Sequence, residues 1–236
     1  MPEAIRARGL RHCRPDGTPT LDRVDLDVAP GERLAVIGPA GSGKTALALI
    51  LAGLLDRAGG ELSVAGLAVG RFSARELRAR VGVVLQDPGD QLFMPSAGEE
   101  AVLGASTGGL PPLAARIRAE AALGVLGMGW AFDRPTRPLS DDERRRVAVA
   151  AVLAGRPEVV VVDEPGAGLE RRSWSEVAGL LREVPAAVVV MTRDPRLAAE
   201  VCDRAVALSG GRVVADLPLQ ELVARRRAAG VLPATG

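Results

Sequence analysis

Apolar and polar residues alternate in some parts of this chain and run together in others, and the two patterns predict different elements. Val24, Leu26 and Val28 alternate with Asp25 and Asp27, the period of a half-buried strand, and the first 30 residues read as short strands. Pro30-Gly31 then turns the chain into 33–37 (RLAVI), a continuous apolar run. Residues 61–64 and 81–85 read as further strands, and 158–163 and 186–191 as strands buried on both faces. Residues 205–208 and 212–215 flank Ser209-Gly210-Gly211, a hairpin signal. Between 86 and about 154 the period changes, and helices are predicted over 97–106, 111–126 and 141–153. A last helix is expected over about 219–229. The reading is an α/β core, about 1–86 and 155–236, with a helical subdomain inserted over about 87–154.

Composition narrows the class. The chain has 236 residues, 47% of them hydrophobic, enough for one globular unit with a full core. The formal net charge is +1, and Arg144-Arg145-Arg146 and Arg225-Arg226-Arg227 read as solvated helix faces. With aromatics at 2% and no tyrosine, no nucleic-acid partner is expected. Cys13 and Cys202 lack metal or redox spacing and are expected to be buried in a reduced compartment, and Trp130 and Trp174 to serve packing. No apolar stretch approaches the roughly 18 residues of a membrane span, and the start lacks the apolar core of a signal peptide.

One lysine changes the picture. All of the 30 lysine and arginine residues but Lys44 are arginine. Lys44 stands in Gly38-Pro39-Ala40-Gly41-Ser42-Gly43-Lys44-Thr45, which meets G-x-x-x-x-G-K-[ST] at every fixed position. The glycines let backbone N–H groups surround phosphate oxygens, and a compact ammonium suits the β and γ phosphates better than a planar guanidinium. The Thr45 hydroxyl can ligate Mg²⁺, and the helix begun at Lys44 adds the positive end of its dipole. The strand 159–163 ends in Asp163-Glu164-Pro165. Asp163 would hold Mg²⁺, directly or through water, and Glu164 would orient or activate the attacking water.

In order and spacing, GPAGSGKT, VGVVLQDP, LSDDERRRVAVAAVLAGRPEVVVVDEP, GAGLE and VVVMTRD resemble the nucleotide-binding subunit of an ATP-binding-cassette (ABC) transporter over nearly the whole chain. The resemblance implies an α/β phosphate-loop NTPase cassette: a RecA-like core, an antiparallel β subdomain and the helical insertion. It implies ATP and Mg²⁺ as cofactors, and hydrolysis coupled to transport by transmembrane partner subunits at the cytoplasmic face of the membrane. It implies pairing with a second ABC subunit, as a homodimer or heterodimer. Gln86 falls at the loop that senses Mg²⁺ and the membrane partner. The segment DPGDQLFMPSAGEEAVLG resembles the energy-coupling-factor branch, importers of metal ions and vitamins.

The chain departs from the family pattern at several places. The signature LSGGQ, which in the family caps ATP bound to the opposite subunit, reads Leu139-Ser140-Asp141-Asp142-Glu143, so three acids stand where an anion is expected. Arg193 occupies the place of the switch histidine and can donate to a γ-phosphate without accepting a proton. Glu170 replaces the usual Asp, and Arg14, near His12, occupies the place of the aromatic that stacks on adenine. Alternatives are a degenerate subunit that binds ATP with little hydrolysis inside a heterodimer, and a soluble ABC ATPase outside transport.

Overall fold

The alternating strands and the continuous apolar strands separate into two sheets in the computed structural model, which describes residues 3–70, 74–107, 109–166 and 171–228. In chain order the strands are β1 (Ile5–Cys13), β2 (Pro19–Val28), β3 (Arg33–Ile37), β4 (Gly59–Val64), β5 (Leu67–Ala68), β6 (Val81–Val84), β7 (Val159–Asp163), β8 (Ala187–Thr192), β9 (Arg204–Ser209) and β10 (Arg212–Pro218). The helices are α1 (Lys44–Leu51), α2 (Ala74–Arg80), α3 (Ala97–Thr107), α4 (Pro112–Val125), α5 (Asp141–Ala154), α6 (Arg171–Glu183), α7 (Pro195–Ala198) and α8 (Leu219–Ala228). An antiparallel sheet has the order β2-β1-β4-β5, and a second sheet has the order β10-β9-β3-β8-β7-β6. In the second, β9, β3, β8, β7 and β6 run parallel and β10 closes one edge antiparallel.

Each pattern has its cause in packing. On β2, Val24, Leu26 and Val28 are buried, while Asp25 is exposed and Asp27 half-buried. On β7 and β8 every residue is buried, because the parallel sheet carries a core on each face. Leu34, Val36, Val159, Val161 and Val189 join α1 and the antiparallel sheet on one side. Ala35, Ile37, Val160, Val162 and Val190 join α3, α4, α5 and α6 on the other. The hairpin at 209–211 forms, with Gly210 and Gly211 both at positive φ.

The helices between β6 and β7 pack through small residues. Ala105, Ala115 and Ala154 form their own buried cluster. At Gly104 a Cβ would stand 2.0 Å from the Ala151 carbonyl oxygen, so only glycine lets α3 lie this close to α5.

Four expectations are corrected. Cys13 is exposed at the end of β1, whereas Cys202 is buried, and burial pushes its thiol up to about 12. Trp130 is 58% exposed, on a short 3₁₀ turn over Gly129–Ala131, rather than packed. Trp174 is buried and its indole donates to the Leu197 carbonyl at 3.2 Å. The Arg144–146 run is not one solvated face, since Arg145 is only 2% exposed. The first strands are also long, 9 and 10 residues, rather than short. Helix α6, absent from the sequence reading, buries Trp174, Val177, Ala178 and Leu181 at helical spacing.

Candidate active site

The parallel strands deliver three chemical groups to one edge of the sheet. β3 leads into the phosphate loop, whose Gly38 N–H donates to the Thr192 carbonyl at the end of β8 (3.3 Å). Gly41 and Gly43 take φ of +75° and +105°, which L side chains rarely adopt. Lys44 is buried at 5% exposure, and its Nζ donates to the carbonyls of Gly38 (2.8 Å) and Pro39 (3.0 Å). Helix α1 then starts with no side-chain cap and no acid in its first turn. The Ser42 hydroxyl is buried with no hydrogen-bond partner among the described residues.

β7 delivers Asp163 and Glu164. Asp163 is buried, and burial pushes its carboxyl above the ordinary aspartate range. A hydrogen bond with Thr45 and the charges of Lys44 and Arg145 oppose that shift, and the Glu164 charge adds to it. One Asp163 oxygen, Oδ1, is buried without a hydrogen-bond partner among the described residues. A hydroxyl and an orphaned carboxylate oxygen side by side are hard donors that fit Mg²⁺.

Glu164 takes φ of +44°, an uncommon conformation for a side chain of its size. Such a conformation costs about 1–3 kcal/mol and persists only where its surroundings enforce it. The Glu164 N–H donates to the Met191 carbonyl at 2.8 Å. Its carboxylate accepts from the Thr192 hydroxyl and the Arg193 N–H, both at 3.3 Å. It also pairs with Lys44 at 3.4 Å and Arg193 at 3.5 Å. The short turn after β8 thus brings Arg193 to the same carboxylate that meets the phosphate-loop lysine.

A cavity of about 490 Å³ joins these groups: residues 40–46, Gln86, Glu164 and Arg193 line it, with His12, Arg14 and Thr20 at another side. His12 Nδ1 lies 3.2 Å from the Thr20 hydroxyl. A second cavity, of about 630 Å³, is lined by Thr45, Gln86 and Asp163, and also by Asp141 and Arg145. Gln86 faces both.

Of the 139–143 segment, Asp141 alone lines these two cavities. Leu139 is buried, and Ser140 caps α5 in a closed capping box. The Glu143 N–H donates to Ser140 Oγ (3.2 Å), while the Ser140 N–H and hydroxyl donate to the Glu143 carboxylate (2.8 and 2.9 Å). Asp141 pairs with Arg144, and Asp142 with Arg146 at 2.9 Å. Glu170 lies outside the described residues.

Arg145 is the functional candidate that sequence reading missed. Its guanidinium donates to the Leu85 carbonyl at 3.1 Å and to the Gln86 carbonyl. A signal existed: at helical spacing Arg145 shares a face with Ala148 and Val149, both buried.

Comparison with known proteins places this geometry. Residues 21–167 match the family model described as ABC transporter. The chain is 43% identical, over 94% of its length and 85% of the relative's, to a Streptomyces coelicolor protein named as an ABC transporter ATP-binding protein. It is 37% identical to the energy-coupling factor transporter ATP-binding protein EcfA of Methanothermobacter thermautotrophicus, over 98% of this chain and 77% of that one. The solved structure of cbiO1 from Clostridium perfringens, described as part of the ABC transporter complex cbiONQ, superposes with a TM-score of 0.84 at 30% identity. That match covers 97% of this chain and 93% of that one.

Proposed function

The chain belongs to the ABC transporter family as an ATP-binding subunit, and we propose that it hydrolyses Mg-ATP in the cavity beside Lys44 to drive uptake of a metal ion or vitamin. The observation that carries this reading is the convergence of Lys44, Thr45, Asp163, Glu164, Gln86 and Arg193 around two adjoining cavities. The loop from Gly38 to Thr45 cradles the phosphates, with Lys44 between the β and γ groups. Thr45, Asp163 and Gln86 would hold Mg²⁺, which when bound would neutralise charge on the phosphate oxygens. Glu164 orients the water that attacks the γ-phosphorus in line, and Arg193 donates to the γ-phosphate oxygens. Glu164 shares Lys44 with the loop carbonyls. An entering γ-phosphate competes for that ammonium and leaves the carboxylate to the water.

The partners follow from the same membership. No helix among the described residues is long and apolar enough to cross a membrane. Transport therefore calls for transmembrane subunits met at the cytoplasmic face, and for a second cassette, as the complexes named for the relatives suggest. The 86–104 segment is the proposed contact with the membrane subunits, because Phe93 is 73% exposed beside an apolar hollow that includes Leu54 and Leu103. We place the helical subdomain at about 87–154.

A second reading, a poorly active site within a heterodimer, is favoured by the capping box. Donors at the start of α5 that would meet a partner's γ-phosphate are already satisfied by Glu143. The test of the main reading is Glu164→Gln. It should keep ATP affinity by calorimetry and lower phosphate release by about 100-fold or more, within the reach of a general base. A variant as fast as wild type would move the chemistry to another group.

A further inference from the structure

We propose that Arg145 is the positioning residue that ties the Gln86 loop to helix α5, so that the start of that helix and the Mg²⁺ side of the cavity move as one. The inference rests on the ATP-site reading above. Arg145 is a buried cation with unusual company. Its neighbours in sequence pair with acids of their own helix, Arg144 with Asp141 and Arg146 with Asp142. Among the described residues Arg145 makes no carboxylate contact within 4.0 Å, and its two terminal nitrogens go instead to the consecutive carbonyls of Leu85 and Gln86. Its Nε is buried without a hydrogen-bond partner among those residues.

An apolar side chain would fill this space at lower desolvation cost, so packing alone does not account for a guanidinium here. What a planar fork supplies is direction: two donors at fixed spacing hold two successive carbonyls and so set how the loop leaves β6. From its other side the same loop is stapled by Gln91, which accepts from the Leu85 N–H and donates to the Val83 carbonyl, each at 3.0 Å. The Gln86 carbonyl is thus held across the gap between layers by α5.

Charge supports the placement. Burial lowers the affinity of Arg145 for its proton, and Asp87, Asp141 and Asp163 act in the opposite direction. Those three carboxylates belong to the loop, to the first turn of α5 and to the end of β7, three of the elements that line the second cavity beside α1. Asp141 stands one helical turn before Arg145 on the same cavity. A displacement at the α5 start is therefore transmitted through one rigid turn to Gln86, which faces Thr45 and Asp163.

The experiment compares wild type with Arg145→Met and Arg145→Lys. In both variants, ATP affinity without Mg²⁺ should stay within about twofold, since a group outside the phosphate loop carries little of it. The Mg²⁺ concentration for half-maximal phosphate release should rise about tenfold or more in Arg145→Met, with kcat falling more than KM rises, as for residues that support metal ligands. Arg145→Lys should be intermediate, reaching one carbonyl but not forking two. In the nucleotide-free protein, amide exchange over 84–91 should speed about tenfold while α1 and the rest of α5 are unchanged. Wild-type Mg²⁺ dependence and wild-type exchange would overturn the proposal, as would faster exchange spread along all of α5. If Arg145→Met does not fold, Arg145→Lys decides between the same outcomes. If wild type itself releases no phosphate, the ATP-site reading fails, and the exchange comparison still judges the tie.

Discussion

Helix α1 begins at Gly43, in a left-handed conformation with no side-chain hydrogen bond, and continues with Lys44 and no acid in its first turn. Helix α5 begins at Ser140 inside a capping box and continues with Asp141, Asp142 and Glu143. Both starts border the cavities of the candidate active site. The free N–H groups of a helix start can satisfy the chain itself or remain available to an anion, and here each end has one of the two roles. A cap contributes about 1 kcal/mol and each first-turn carboxylate about 0.3–1 kcal/mol. α5 has that stability, while α1 forgoes it and keeps a buried, unpartnered Ser42 hydroxyl besides.

The comparison also refines how the acidic segment acts. Two bare charges about 4 Å apart repel by roughly 4 kcal/mol at an effective dielectric near 20. Asp141 and Asp142 are not bare, since Arg144 and Arg146 pair with them. Arg146 reaches further, to Glu176 at 2.8 Å and the Ser173 hydroxyl at 2.9 Å. If a partner's phosphate approaches this segment as proposed, the obstacle is chiefly Glu143, whose carboxylate occupies the Ser140 donors.

The largest effect is expected at the open end. Lys44→Ala removes the charged donor proposed to meet the phosphates, and charge-assisted bonds of this kind carry about 1.5–3 kcal/mol, so ATP affinity should fall by about 10–100-fold. Calorimetry with Mg-ATP checks it. Unchanged affinity would mean that the open start of α1 is not the anion site, and the contrast between the two helices would lose its functional sense.

The closed end should answer in the opposite sense. The triple change Asp141→Gly, Asp142→Gly, Glu143→Gln should lower stability by about 2 kcal/mol, read as a fall in the denaturation midpoint, through lost capping and dipole pairing and added glycine. With a second cassette present, ATP turnover should rise several-fold, because the Ser140 donors are released. A stability loss with no gain in turnover would show that the segment is only a well-made helix start. A chain that alone hydrolyses ATP at rates unchanged by the triple substitution would end the reading of a poorly active site within a heterodimer.

What could be read beforehand divides along physical lines. The phosphate loop, the Asp163-Glu164 strand end and the buried strands were legible because each is specified within a few consecutive residues. The capping box was half legible, since Ser140 and Glu143 stand three apart, but its closure over the donors needed coordinates. Arg145 was misread because a run of three arginines looks solvated until the helix phase assigns its middle member to the core. Trp130 and Cys13 were expected inside on residue type alone, which says little about which face a short turn or a strand end presents. The left-handed Glu164 had no local signal, because the end of β8, through Met191 and Thr192, and the following Arg193 enforce it from far along the chain.

The finest test exchanges one hydroxyl at each helix start for hydrogen. Ser140 Oγ accepts from the Glu143 N–H and donates to its carboxylate, so Ser140→Ala breaks the capping box and should cost about 1 kcal/mol of stability. It should leave the affinity of this chain for ATP untouched, since among the 139–143 residues only Asp141 lines a cavity. Ser42 Oγ has no partner and is buried, so Ser42→Ala removes an unsatisfied group and should leave the nucleotide-free protein as stable or slightly more so. The same change should weaken Mg-ATP binding several-fold, because the loop loses a hydroxyl that no described residue uses. Thermal midpoints with and without saturating Mg-ATP separate the two: Ser140→Ala lowers both equally, and Ser42→Ala lowers only the increment that nucleotide adds. If Ser42→Ala instead destabilised the nucleotide-free chain as much as Ser140→Ala does, the start of α1 would be closed by its own side chain, and the two helix ends would not differ in kind.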